Sequence, residues 1–174
     1  MDPRPDPAFA PATPGRARWF SPTQAHLWHT WAATYRAVNG LVETHLQDGV
    51  GISSPDYEVL VGLAQMPECA GRSCDLARVL DWERSRLSHH LNRMEAKGLV
   101  ARERRREGAR GALVTLTEEG ARALGHAVPA YTELVLSTVF DVLGPREVEI
   151  LDTALTAVLD RINADSTTSE SETA

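Results

Sequence analysis

Apolar residues recur at helical spacing along most of this chain, and breaks in that rhythm divide it into elements. Leu27, Trp31, Tyr35, Val38, Val42 and His45/Leu46 mark a long helix over 21–48, with Ser21 as cap, Pro22 in its first turn, and Gly49 and Gly51 beyond its end. Ser54-Pro55-Asp56 opens a second helix that turns Tyr57, Leu60, Val61 and Ala64 inward and stops before Pro67. A turn-rich piece over 68–73 has room for a short edge strand. A two-turn helix over 75–80 is broken by Asp81-Trp82, and a longer helix over 83–97 follows, closed by Gly98. Two stretches, 99–106 and 111–116, read as the strands of a hairpin with its glycine-bearing tip over 107–110. Thr117 then caps a helix running to about 142, with a kink expected at Pro129, and Gly144-Pro145 opens a last helix to 162, striped by Val148, Leu151, Leu155, Val158 and Leu159. The pattern is mainly α (α+β): two helices, a helix-turn-helix, a two-stranded wing and two more helices.

The helix over 83–97 has two opposed faces. At 100° per residue, Leu87, Leu91 and Met94 fall within about 60° of one another. Ser85, His89 and Asn92 lie about 140–200° from Leu87, with Arg86 and Arg93 at the flank. Short donors and acceptors on such a face suit base edges in a DNA major groove. Ser85, His89, Asn92 and Arg93 are the base-facing candidates, and Arg86 and Ser88 are placed to contact phosphates or bases. The competing reading is a solvated surface, but such a surface usually mixes Glu with Lys, and here no acid stands between Arg84 and Met94. His90 falls at the edge of the apolar face, as a half-buried packing residue. It diverges from His89, so the two do not share a metal ion.

Charge sharpens this picture. Residues 82–110 hold nine Lys and Arg against four acids, a balance of +5, whereas the rest of the 174-residue chain holds nine against twenty, a balance of −11. One basic segment on an acidic protein orients the molecule on a polyanion. Arg104, Arg105, Arg106 and Arg110 are the wing cations. Alternation along a strand lets at most two face DNA together, and Arg106 and Arg110 are the candidates for a narrow minor groove. The competing role is an edge-strand charge that blocks aggregation.

The rest of the chain mostly excludes. No apolar run approaches the ~20 residues of a membrane span, and the proline-rich start has no signal-peptide core, so the expected location is cytoplasmic. Residues 1–18 and the acidic stretch 163–174 read as disordered tails. Cys69 and Cys74 lack the spacing and histidine partners of a zinc site; they read as small packed residues or as a redox pair. No phosphate loop, nucleophile motif or paired carboxylates suggest an enzyme, and neither a metal nor a cofactor is expected.

The run from Leu76-Ala77 through Leu80 and Ser85-Arg86-Leu87-Ser88-His89-His90-Leu91-Asn92-Arg93-Met94-Glu95-Ala96-Lys97-Gly98-Leu99-Val100 to Arg102 resembles the helix-turn-helix and strand entry of the MarR family. Arg110-Gly111 and Leu113-Val114-Thr115-Leu116-Thr117-Glu118-Glu119-Gly120 resemble its wing and following helix start. Where family wings carry an acid two positions before the tip arginine, this chain has Gly108, with Glu107 beside it. The resemblance implies a homodimer joined through helical regions at 19–52 and 117–162. It implies a winged helix-turn-helix domain over 53–116 on a pseudo-palindromic double-stranded DNA operator. It further implies a repressor released by a small aromatic or anionic effector. Trp28, Trp31, Tyr35 and His45 are candidates for the effector site or for plain core and dimer packing. Two alternatives stay open: redox control through Cys69 and Cys74, and a winged helix that binds protein without specific DNA binding.

Overall fold

The computed structural model describes residues 19–103 and 112–171. Helix α1 (Pro22–Val50) opens as the sequence indicates. The Ser21 hydroxyl accepts from the Gln24 N–H at 3.2 Å, and the Gln24 side-chain oxygen accepts from the Ser21 N–H at 2.9 Å. Through Asn39 the chain forms a unit of its own. In it Phe20 stacks on Trp28, and Leu27, Trp31 and Tyr35 are exposed.

The second unit begins at Gly40. Here Val42 and Leu46 are buried, and α1 ends at Gly51, whose φ of 76° is costly for any residue with a Cβ. Helix α2 (Ser54–Ala64) is capped by Ser53 rather than Ser54: the Ser53 hydroxyl accepts from the Asp56 N–H, and the Asp56 carboxylate accepts from the Ser53 N–H. Glu43 on α1 accepts from the Ser54 N–H at 2.7 Å, which joins the two helices. That backbone hydrogen bond, helped by Gln47, holds the Glu43 carboxyl below its ordinary value.

The expected wing is a three-stranded antiparallel sheet. Strands β1 (Ala70–Arg72), β2 (Val100–Glu103) and β3 (Leu113–Leu116) lie in the order β1-β3-β2, with Gly71 opposite Val114 and Ala101 opposite Thr115. The edge strand allowed for over 68–73 therefore forms. Val100 and Val114 point into a core shared with Leu46, Val59, Leu60, Leu63, Leu76, Leu87, Leu91 and Met94. Each such side chain contributes about 1.5–3 kcal/mol on burial.

Helices α3 (Ser73–Val79) and α4 (Arg84–Ala96) form the helix-turn-helix. The turn is a left-handed cap with Asp81 at φ 53°, where Trp82 N–H donates to Ala77 O at 2.9 Å. Helix α4 closes in the same way: Gly98 sits at φ 74°, and Leu99 N–H donates to Met94 O at 3.0 Å. Helix α5 (Glu118–Val135) starts against that closure. The Thr117 hydroxyl accepts from the Gly120 N–H and donates to the Gly98 carbonyl at 2.6 Å.

Two helix ends differ from expectation. Helix α5, expected to run to about 142, includes Pro129 and gives way at Leu136–Phe140 to a π-helical turn. There Ser137 donates its hydroxyl back to Glu133 O at 2.8 Å. Helix α6 (Pro145–Ser171) continues past the expected end at 162 into the stretch that the sequence alone reads as a disordered tail. The apolar stripe ends near Ile162, but no Gly or Pro follows to stop a helix already nucleated. Ile150, Leu151, Val158, Leu159 and Ile162 of α6 are exposed. Among the described residues no single helix is long and apolar enough to cross a membrane.

Candidate nucleic-acid interface

The local sequence of α4 fixes one face and frees the other. Leu87, Leu91 and Met94 are buried against the core. Ser85, Arg86, Ser88, His89, Asn92 and Arg93 are all exposed, as the angular count indicates. Arg84 extends the basic end of this face. Arg106 and Arg110, the wing candidates, lie outside the described residues, as do Arg104 and Arg105. Trp28, Trp31, Tyr35 and His45 are exposed, and no disulfide joins the half-buried Cys69 and Cys74.

Several of the exposed side chains are held from behind. The Arg86 guanidinium lies 4.0 Å over the ring of Trp82, itself buried in the turn before α4. Such contacts are worth about 0.5–1 kcal/mol at exposed sites, enough to bias a rotamer. The Asn92 side-chain oxygen accepts from the guanidinium of Arg102 on β2, so what Asn92 has left to offer a base is its amide N–H donors. The Arg93 guanidinium meets His90 Nδ1 at 2.7 Å, one helical turn back.

His90 is buried rather than half-buried. Its Nε2 lies 3.0 Å from Asp56 Oδ1, and its ring packs edge-on to Trp82 at 5.4 Å between centroids. Asp56 is 1% exposed. Beyond the Ser53 N–H, its carboxylate accepts from Lys97 Nζ at 2.8 Å. Burial works against the Asp56 charge, but Lys97 and the Ser53 cap outweigh it and hold the carboxyl below its ordinary value. Burial also dominates at His90 and lowers its pKa; Arg93 and Lys97 push the same way, while Asp56 opposes. At neutral pH the site thus holds a carboxylate, a neutral imidazole and two cations.

Asp56, Lys97, Arg102 and Trp82 were not singled out from the sequence. The Ser53-x-x-Asp56 spacing marks a helix start and nothing more. What joins Asp56 to α4 is the packing of α2 on the helix-turn-helix, a contact between residues 34 positions apart.

Residues 58–102, from within α2 to β2, match the family model described as bacterial regulatory protein, arsR family. The uncharacterized HTH-type transcriptional regulator YdgJ of Bacillus subtilis (strain 168) is 31% identical over 85 residues, covering 49% of this chain. The chain spans about half the length of that curated relative. Two solved structures match far more. AbsC, a MarR family transcriptional regulator from Streptomyces coelicolor, superposes with a TM-score of 0.78 at 32% identity, over 85% of this chain and 99% of its own. Sco3205, a MarR family transcriptional regulator from the same organism solved in complex with DNA, gives 0.77 at 30% identity, over 83% and 91%. The arsR-type match is confined to the helix-turn-helix and its approach, whereas these likenesses extend over most of the chain.

Proposed function

The chain belongs to the MarR family of DNA-binding transcriptional regulators, and from that premise we propose that it is a homodimeric repressor. It binds a pseudo-palindromic operator through α4 and is released by a small aromatic or anionic effector. The observation that carries the reading is the face of α4: six exposed side chains, none of them acidic, on a helix anchored by Leu87, Leu91 and Met94. Ser85, His89, Asn92 and Arg93 read bases, and Arg86 and Ser88 contact phosphates or bases. On the wing, Arg106 and Arg110 enter the minor groove. The relative solved with DNA supports this use of the fold. Exposed Ile150, Leu151, Val158, Leu159 and Ile162 on α6 support a second copy, since monomers rarely leave such a patch in water. The protein works in the cytoplasm, where its operator is.

The test is a titration of labelled DNA, selected by the wild-type protein from a random pool, at two salt concentrations. Arg93→Ala and His89→Ala should each weaken specific binding by about 1–3 kcal/mol. Unchanged affinity in both variants refutes the assignment of α4 as the reading helix.

A further inference from the structure

The proposed readers lie on the exposed face of α4, yet one of them is tied to a buried group from another helix. A guanidinium carries only donors, so the Arg93–His90 contact at 2.7 Å requires His90 Nδ1 to offer a lone pair. A neutral ring then carries its proton on Nε2, and that nitrogen faces Asp56 Oδ1 at 3.0 Å. That contact lacks the alignment of a hydrogen bond, but a carboxylate only accepts, so its charge favours an N–H over a lone pair at Nε2, and one tautomer suits both neighbours. The other would turn N–H against the Arg93 donors and a lone pair against the carboxylate.

Asp56 is itself fixed. The Ser53 N–H at 3.0 Å and Lys97 Nζ at 2.8 Å both bond Oδ2, leaving Oδ1 toward the ring. A line of contacts thus runs from the α2 cap through a buried imidazole to an exposed arginine.

We infer that His90 is a positioning residue for DNA recognition: biased to one tautomer by the Asp56 charge, it holds the Arg93 guanidinium in the orientation that reads the operator. The inference rests on the reading of α4 given above. One of five N–H donors is spent on His90, and the others remain for a base edge. An arginine free on the surface samples many rotamers, and immobilising such a side chain on binding costs conformational entropy. Holding Arg93 beforehand removes part of that cost only for the base pair that fits the held orientation. The predicted loss is therefore one of selectivity, not of general affinity for DNA.

The experiment compares full-length variants by anisotropy on two duplexes: the sequence selected by the wild-type protein, and single-base-pair variants of it. His90→Leu should lower the ratio of selected to substituted affinity about 3- to 10-fold at the base pair that Arg93→Ala desensitises, with nonspecific binding unchanged. His90→Asn puts a carbonyl oxygen at the level of Nδ1 and should restore the ratio to within about 2-fold, whereas His90→Gln places its amide at the level of Nε2 and should not. That pair decides the matter if His90→Leu fails to fold by circular dichroism. In the Arg93→Ala background, His90→Leu should change nothing further. Wild-type selectivity in His90→Leu, equal behaviour of the Asn and Gln variants, or an undiminished His90→Leu effect without Arg93 overturns the positioning role while leaving the reading helix standing. Arg93→Ala binding as wild type, or no sequence enriched from the pool, overturns the reading of α4 and this inference with it.

Discussion

Replacing Asp56 by Ala removes an acceptor that serves two donors and a charge that faces a third polar group, and the burial of each sets the cost. The Ser53 N–H at 3.0 Å loses half of the α2 capping box, about 0.5–1.5 kcal/mol. His90 Nε2, 3.0 Å from Oδ1 without hydrogen-bond alignment, loses a facing charge inside a side chain only 7% exposed, about 1–2 kcal/mol. Lys97 is 47% exposed and turns to water, so its share is at most about 0.5 kcal/mol. Against these stands the relief of no longer burying a charge. The net expectation is a loss of about 2–3 kcal/mol, with Asp56→Asn near 1 because the amide oxygen keeps the cap. Urea unfolding followed by tryptophan fluorescence, at one protein concentration and pH 7.5, measures both. A loss below about 1 kcal/mol for Asp56→Ala refutes the claim that this carboxylate anchors the helix-turn-helix.

Two further outcomes follow from the same packing. Because burial lowers the His90 pKa in the folded chain, the unfolded chain binds that proton more readily. The contribution of His90 to stability is therefore complete above the ordinary histidine value near ~6.5 and falls as pH drops from there toward the lowered native value; urea midpoints from pH 7.5 to 5.5 should decline more in the wild type than in His90→Asn, and parallel declines refute this. Asp56, held low, adds a second loss as pH drops below the ordinary aspartate value of 3.8. At Gly120 a Cβ would meet the Leu99 carbonyl oxygen at 2.1 Å, whereas at Gly71 it would meet the flexible Met66 side chain. Gly120→Ala should thus cost about 3 kcal/mol and Gly71→Ala under about 1, read as thermal midpoints; equal shifts refute the distinction.

The element order was legible because apolar periodicity and caps are local properties: Ser21, Thr117 and Gly98 do in the structure what their positions in the chain announce. The two faces of α4 were legible for the same reason. His90 was not, because its angular position places it at the edge of the apolar face, and only Asp56, arriving from α2, makes that edge a closed polar site. The aromatic residues of α1 were legible as an apolar face, but a pattern along one helix does not say what covers it. The π-helical turn was hidden because Leu136–Phe140 carries no Gly or Pro to mark it and a one-residue widening leaves no trace in the apolar periodicity.

The junction between α4 and α5 has a mechanical consequence. Thr117 bonds the Gly98 carbonyl, and Gly120 sits against Leu99 with no room for even a methyl group. Such a joint has no slack: the last turn of α4 and the first turn of α5 move as one bent piece, like the two arms of a crank. A rotation of the first turn of α5 would carry the last turn of α4 with it, whereas the regular helical ladder changes only at the opposite end of α5, in the π-helical turn at Leu136–Phe140.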